Sequence, residues 1–143
     1  MNTLTALAWS DRLLTGVPEI DEQHRILVHT LNEAASKLGH DPSLELLESI
    51  TQDLLSYALY HFETEEALML EYGYVADDDA HQRHLEEHRV FSAQVVGIRT
   101  DLKSGILIAP QQLLDFLNKW LAGHIMHTDQ RLAAFILARR QGR

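Results

Sequence analysis

Four stretches of this chain carry apolar residues at the period of a helix, and every one of the four stripes is interrupted by ionisable side chains that a simple core would reject. The first reads Ile20, His24, Leu27, Leu31, Ala34 and Leu38, and the second Leu47, Ile50, Leu54, Tyr57, His61, Glu65 and Leu68. The third reads His84, His88, Phe91, Val95, Ile98 and Leu102; the fourth has Leu113, Leu117, Trp120, His124, Arg131 and Phe135 on or near one face. His61 and Glu65 stand four residues apart and therefore share a face that points where a core should be. Buried without partners they would cost several kcal/mol. A metal ion satisfies a neutral imidazole nitrogen and a carboxylate together and removes the need to bury a free charge.

The punctuation between the stripes sets the architecture. Gly16 and Pro18 mark a turn into the first helix, Trp9 is a candidate anchor for the arm before it, and Asp21 is a candidate N-cap. The spacing predicts helices over about 21–38, 42–72, 77–103 and 110–139. Gly39 stops the first, Pro42 opens the second and Gly73 stops it; Asp77-Asp78-Asp79 suits the dipole at the start of the third, which Ser104-Gly105 closes. Ile106 to Ala109 forms the last link, Pro110 opens the fourth helix, and Arg139, Arg140 and Arg143 sit at its basic end. Long helices joined by links of a few residues imply antiparallel neighbours: an all-α, up-down-up-down four-helix bundle. Residues 1–143 read as one domain, with an irregular N-terminal arm over 1–20 and the bundle over about 21–139. No strand pattern competes.

A formal charge of −9 argues against a nucleic-acid surface and against an anionic membrane. The chain has no cysteine, which removes disulfides, thiolate zinc sites and iron–sulfur clusters and leaves nitrogen and oxygen as the only metal donors. The first residues lack a basic, then apolar, leader, and no apolar run approaches the roughly 20 residues of a membrane span. The expectation is a soluble, cytoplasmic chain. Nine histidines in 143 residues is the unusual number, and it points to ligands.

A lone core histidine such as His24 is ordinarily structural; the coincidence on all four stripes is what carries weight. His84 and His88, four apart, can chelate one ion from adjacent turns, as helical zinc sites do. Asp129 fits less well, because five residues beyond His124 is about 140° around an ideal α-helix. On spacing alone His127 is the better partner of His124, and Asp129 needs a distorted helix or a sideways approach.

The ordered text Ile20-Asp21-Glu22-Gln23-His24, His61-Phe62-Glu63-Thr64-Glu65-Glu66, His84-Leu85-Glu86-Glu87-His88 with Phe91, and Trp120-Leu121-Ala122-Gly123-His124 with Asp129 resembles the hemerythrin family, its bacterial members above all. The resemblance runs from Trp9 to about Phe135. It implies a non-heme di-iron centre with an oxo or hydroxo bridge, in which His84, His88 and His124 hold one iron, His24 and His61 hold the other, and Glu65 and Asp129 bridge them. The resemblance, and not spacing, selects Asp129 over His127. Three histidines and three bridges fill one octahedral iron, whereas two histidines leave the second with an open position for O₂. The gap from Glu65 to His84 is about one helical turn longer than the family pattern, which places His81 in the added stretch. His29, His40, His81 and His127 are expected to be non-ligands, and Glu63, Glu66, Glu86 and Glu87 solvated helix faces. Leu27, Phe62, Trp120 and Leu121 lie beside or one turn from the implied ligands and are candidates for an apolar O₂ pocket, beside their ordinary reading as core.

The function implied is reversible binding of O₂ for storage, carriage or delivery, with no catalytic side chain. The alternatives are an O₂- or redox-sensing domain of a larger signalling protein, with an unidentified partner domain, and a di-iron enzyme handling peroxide or nitric oxide. Di-iron bundles with oxidase chemistry use Glu-x-x-His pairs, which are missing from the inward residues here. Persistence of the oxygenated form separates the three: long-lived for storage, quickly oxidised for a redox sensor, multiple turnover for an enzyme.

Overall fold

The computed structural model describes residues 10–40, 43–76 and 78–141, apart from the side chains of Arg12, Ala76 and Asp78. Trp9, Pro42, Asp77 and Arg143, singled out above, lie outside the described residues. A 3₁₀ turn, Asp11–Leu13, leads to α1, Pro18–His40. The first helix starts a turn before the expected Asp21. Pro18 supplies a preset φ there, and Asp21 acts backwards on the loop: its carboxylate accepts hydrogen bonds from the Thr15 amide at 2.8 Å, the Thr15 hydroxyl at 2.7 Å and the Gly16 amide at 3.0 Å. Gly16 has φ +91°, and a Cβ there would meet Leu137 Cδ1 at 3.0 Å, so the sharp entry needs glycine twice over. Gly39, expected to end α1, is helical, and the helix runs on to His40.

Helix α2, Leu44–Tyr72, begins at the Ser43 cap, whose hydroxyl accepts from the Leu46 amide at 3.2 Å, and ends at Gly73 in the left-handed conformation, φ 78° and ψ 23°. A 3₁₀ turn, Tyr74–Ala76, leads to α3, Asp78–Lys103, and Gly105 at φ +84° turns the chain out of it. The fourth arm of the bundle opens with Pro110 in its first turn and reaches Gln141, in three pieces: α4, Pro110–Gly123; a π-helical turn, His124–Asp129; and α5, Gln130–Gln141.

The order of core residues along each arm shows the up-down-up-down path. Buried apolar residues fall into two clusters, one containing Leu27, Leu31, Leu54, Phe62, Phe91, Leu117 and Leu121, the other Val17, Ile20, Leu68, Met69, Ala80, Leu132 and Ile136. Along α1 the chain passes from the second cluster through His24 to the first; along α2 it returns from the first through His61 and Glu65 to the second. Helix α3 goes up again through His84 and His88, and the last arm comes down through His124 and Asp129. A polar layer thus divides the core, and all four arms cross it. Each fully buried Leu, Ile or Phe contributes roughly 1.5–3 kcal/mol, so the two clusters carry the stability that this layer draws on. Among the described residues no helix is long and apolar enough to cross a membrane.

Candidate metal centre

Burial in the polar layer is complete. His24, Glu65, His84 and Asp129 are 0% exposed, and His61, His88 and His124 are buried beside them. Their donor atoms form two groups, each with all atoms within 4.8 Å: Glu65, His84, His88 and His124 in one, and His24, His61, Glu65 and Asp129 in the other. Glu65 belongs to both. Its Oε1 lies 3.0 Å from His88 Nε2, 3.4 Å from His84 Nε2, 3.6 Å from His124 Nε2 and 3.5 Å from His61 Nε2. Asp129 also faces both groups, with Oδ1 3.2 Å from His84 Nε2 and 3.0 Å from His124 Nε2, and Oδ2 2.7 Å from His24 Nε2.

Asp129 reaches this position because the helix changes type. In the π-helical turn the backbone bonds i to i+5, so residues five apart come round to the same side. His124 and Asp129 are the first and last residues of that turn, and both are buried. His127, the partner favoured by α-helical spacing, is exposed. The turn also shifts the inward face by one residue: beyond it Leu132, Ala133 and Ile136 are buried, whereas Arg131 and Phe135, expected on the stripe from α-helical spacing, are exposed and half-buried.

Outside the layer, three histidines hand their other ring nitrogen to a side-chain oxygen. His61 Nδ1–H donates to Gln23 Oε1 at 2.6 Å, His88 Nδ1–H to Glu66 at 3.0 Å and His124 Nδ1–H to Glu87 at 2.8 Å. Each bond fixes the tautomer that turns the Nε2 lone pair inward. Glu66 and Glu87 were expected to be solvated faces; they lie half-buried against the site, on the same helices as Glu65 and His88, because adjacent positions flank the inward stripe. Gln23 went unassigned in the sequence, where its place one residue before His24 was the only signal. Its amide orientation is set by a bond from Nε2 to Thr64 Oγ1 at 3.0 Å. Glu86, by contrast, pairs with Arg89 on the surface, and Glu63 is exposed. His29 and His40 are exposed and His81 is half-buried; none of the three is in either group.

Without a cation the layer is held by protons. Burial works against charge on His84, but hydrogen bonds to Asp129 and Glu65 outweigh it and raise its pKa to about 9. His124 is raised well above the ordinary range against the same burial penalty, chiefly by the Asp129 charge. Burial pushes Glu65 and Asp129 up, yet both end below the usual carboxylate range: His61 and His124 pull Glu65 down, and His124 acts most strongly on Asp129. Even so, His61 Nε2 and Glu65 Oε2 stay buried without a hydrogen-bond partner, and His88 Nε2 and His124 Nε2 face each other at 3.2 Å. Buried orphans of that kind are rare and ask for an explanation. Cations placed among these atoms satisfy them and relieve the two facing nitrogens. Five imidazoles and two carboxylates suit iron, zinc or manganese.

A small apolar cavity, about 10 Å³, adjoins the layer. Leu27, Phe62, Trp120 and Leu121 all line it, and His24, His61, His124 and Asp129 face it, whereas His84 and His88 do not. Phe62 stacks on His88 with centroids 3.8 Å apart, and Trp120 on His124 at 4.4 Å.

Residues 15–136 match the model of the hemerythrin HHE cation binding domain. The chain is 32% identical over 126 residues to a bacteriohemerythrin of Pseudomonas paraeruginosa, covering 86% of this chain and 76% of that one. It is 32% identical over 133 residues to a bacteriohemerythrin of Stenotrophomonas maltophilia, covering 91% and 81%. A solved structure of wild-type hemerythrin superposes with a TM-score of 0.81 at 22% identity, over 92% of this chain and 98% of that one, which speaks for the fold alone. With most of its length matched by the domain and by relatives of nearly its own extent, the chain belongs to the hemerythrin family.

Proposed function

We propose that this protein binds O₂ reversibly at a non-heme di-iron centre, for storage, carriage or delivery. The observation that carries the reading is the pair of shared carboxylates. Asp129 turns one oxygen to each histidine group, and Glu65 lies within reach of both, which is the arrangement two adjacent cations require. His84, His88 and His124 would hold one iron, His24 and His61 the other, with Glu65 and Asp129 between them. The two irons supply the reversible two-electron chemistry by which O₂ is held and released.

The chain's own part is binding, orientation and exclusion of water. Gln23, Glu66 and Glu87 turn three imidazoles inward, and the apolar cavity meets the side with fewer histidines, where an open position would lie. Leu27, Phe62, Trp120 and Leu121 would keep that approach dry. We read the protein as a carrier and not as an enzyme, because its inward residues lack the Glu-x-x-His pairs of oxidase bundles. We take the cytoplasm as its compartment, a cysteine-free chain needing no oxidising surroundings to fold. The test is metal analysis joined to a spectrum: two irons per chain, and a visible charge-transfer band that appears in air and fades when O₂ is removed. Full iron occupancy without such a band would overturn the reading.

A further inference from the structure

Glu87 does more than orient one histidine. Its carboxylate, on α3, accepts from His124 Nδ1–H at 2.8 Å and from the Thr128 hydroxyl at 2.7 Å to one oxygen and 2.8 Å to the other. His124 and Thr128 are the first and fifth residues of the π-helical turn. One side chain of a neighbouring helix therefore grips that turn at both ends of its outer side, and Asp129, the next residue, is directed inward. The alternative is an ordinary α-helical register, in which residues five apart diverge by about 140° and Asp129 leaves the layer. A π-turn is the rarer state, found mostly as a single turn inside an α-helix at functional sites.

We infer that Glu87 is a positioning residue which, through Thr128 and His124, holds the last arm in its π-helical register and so keeps Asp129 shared between the two histidine groups. Geometry supports a clamp over a casual contact. Glu87 is half-buried, and both its oxygens lie within hydrogen-bond distance of residues of the turn. A charged acceptor holding such donors is worth more than a neutral one.

The metal half of this inference rests on the di-iron reading; the register half does not. The experiment compares wild type, Glu87→Ala, Glu87→Gln and Thr128→Val as full chains, by amide hydrogen exchange of the metal-free proteins and by anaerobic Fe(II) titration. Glu87→Ala is expected to speed exchange at residues 124–130 by at least about ten-fold with α1 and α2 unchanged, and to weaken the more loosely held Fe(II) by roughly 10- to 100-fold. Thr128→Val should do the same to a smaller degree. Glu87→Gln, which keeps the shape and one acceptor, should restore part of both effects. Unchanged exchange in Glu87→Ala or, should that variant unfold, in Thr128→Val would overturn the inference. A wild type that binds fewer than two Fe(II) would sink the di-iron reading and leave the exchange result to decide the clamp.

Discussion

The two halves of the polar layer differ in what stands behind them. Behind the three-histidine group are carboxylates, Glu66 on His88 and Glu87 on His124. Behind the two-histidine group is an amide, Gln23 on His61, and the apolar cavity opens there too. A carboxylate draws the Nδ1 proton and makes Nε2 a stronger donor, while an amide orients the ring without that push. The protein thus pairs its better donors with the group that has more of them, and its neutral partner with the group whose two histidines both line the apolar cavity. The difference between the halves lies in side chains one step removed from the layer.

Breaking the element common to both halves should have the largest effect. Glu65→Ala removes one of the two carboxylates that the groups share and leaves the five buried imidazoles of the layer with Asp129 alone. Iron content should fall from two per chain to one or none, read by metal analysis after anaerobic loading. His61→Ala should instead empty only the two-histidine position and keep close to one iron. Two irons retained in Glu65→Ala would mean that the halves are independent sites.

Gln23 tests the asymmetry itself. Gln23→Leu orphans the buried His61 Nδ1–H, at a cost of about 1–3 kcal/mol, and should weaken one of the two metals roughly 10-fold or more while sparing the other. Gln23→Glu gives the two-histidine half the kind of partner that the other half has. It should tighten that metal and lower the midpoint potential of the pair; equal potentials for wild type and Gln23→Glu would show that the identity of the partner does not matter.

Much of this was legible in the sequence, and the exceptions have a common cause. Helical stripes and Gly and Pro punctuation located four arms, because apolar periodicity and turn chemistry are local. His24, His61, Glu65, His84, His88 and His124 stood out because polar groups on an apolar stripe conflict with burial. Asp129 was drawn from resemblance only, since a π-turn is a tertiary accommodation whose hold, Glu87, sits on another helix. Gln23, Glu66 and Glu87 were invisible for the same reason: what separates an outward carboxylate from a solvated one is the helix that packs beside it. The start of α1 was misplaced by a turn because Asp21 bonds back to Thr15 and Gly16 instead of forward.

Protons held on the three-histidine half, when no metal is present, tie its contribution to pH. His84 in the folded, metal-free protein titrates at about 9, above the ordinary histidine value of 6.5, so its contribution to stability is complete below pH 6.5 and is lost as pH rises through 9. The metal-free protein should therefore lose several degrees of Tm between pH 6.5 and about 9.5. Iron-loaded protein, whose imidazoles are already neutral, should stay flat over that window, and His84→Gln should reduce the slope without abolishing it, because His124 is raised as well. A metal-free protein equally stable at both ends would rule out the protonated layer.

Glu66 should give the smallest effect, and the reason refines the contrast between the halves. Like Glu87 it is a carboxylate behind a histidine of the three-histidine group, at 3.0 Å from His88 Nδ1, with its side chain 43% exposed. Unlike Glu87, among the described residues it engages no second residue on His88's helix, and the His88 ring is also held face to face by Phe62 at 3.8 Å. Glu66 holds one ring by one bond, whereas Glu87 holds two residues of the π-helical turn. Glu66→Gln should change Fe(II) affinity by no more than about three-fold and leave exchange at 124–130 untouched, since a single hydrogen bond exposed to solvent is worth about 1 kcal/mol or less. An effect as large as that of Glu87→Ala would place the advantage of the three-histidine half in the charge of its carboxylates and not in the backbone register that one of them secures.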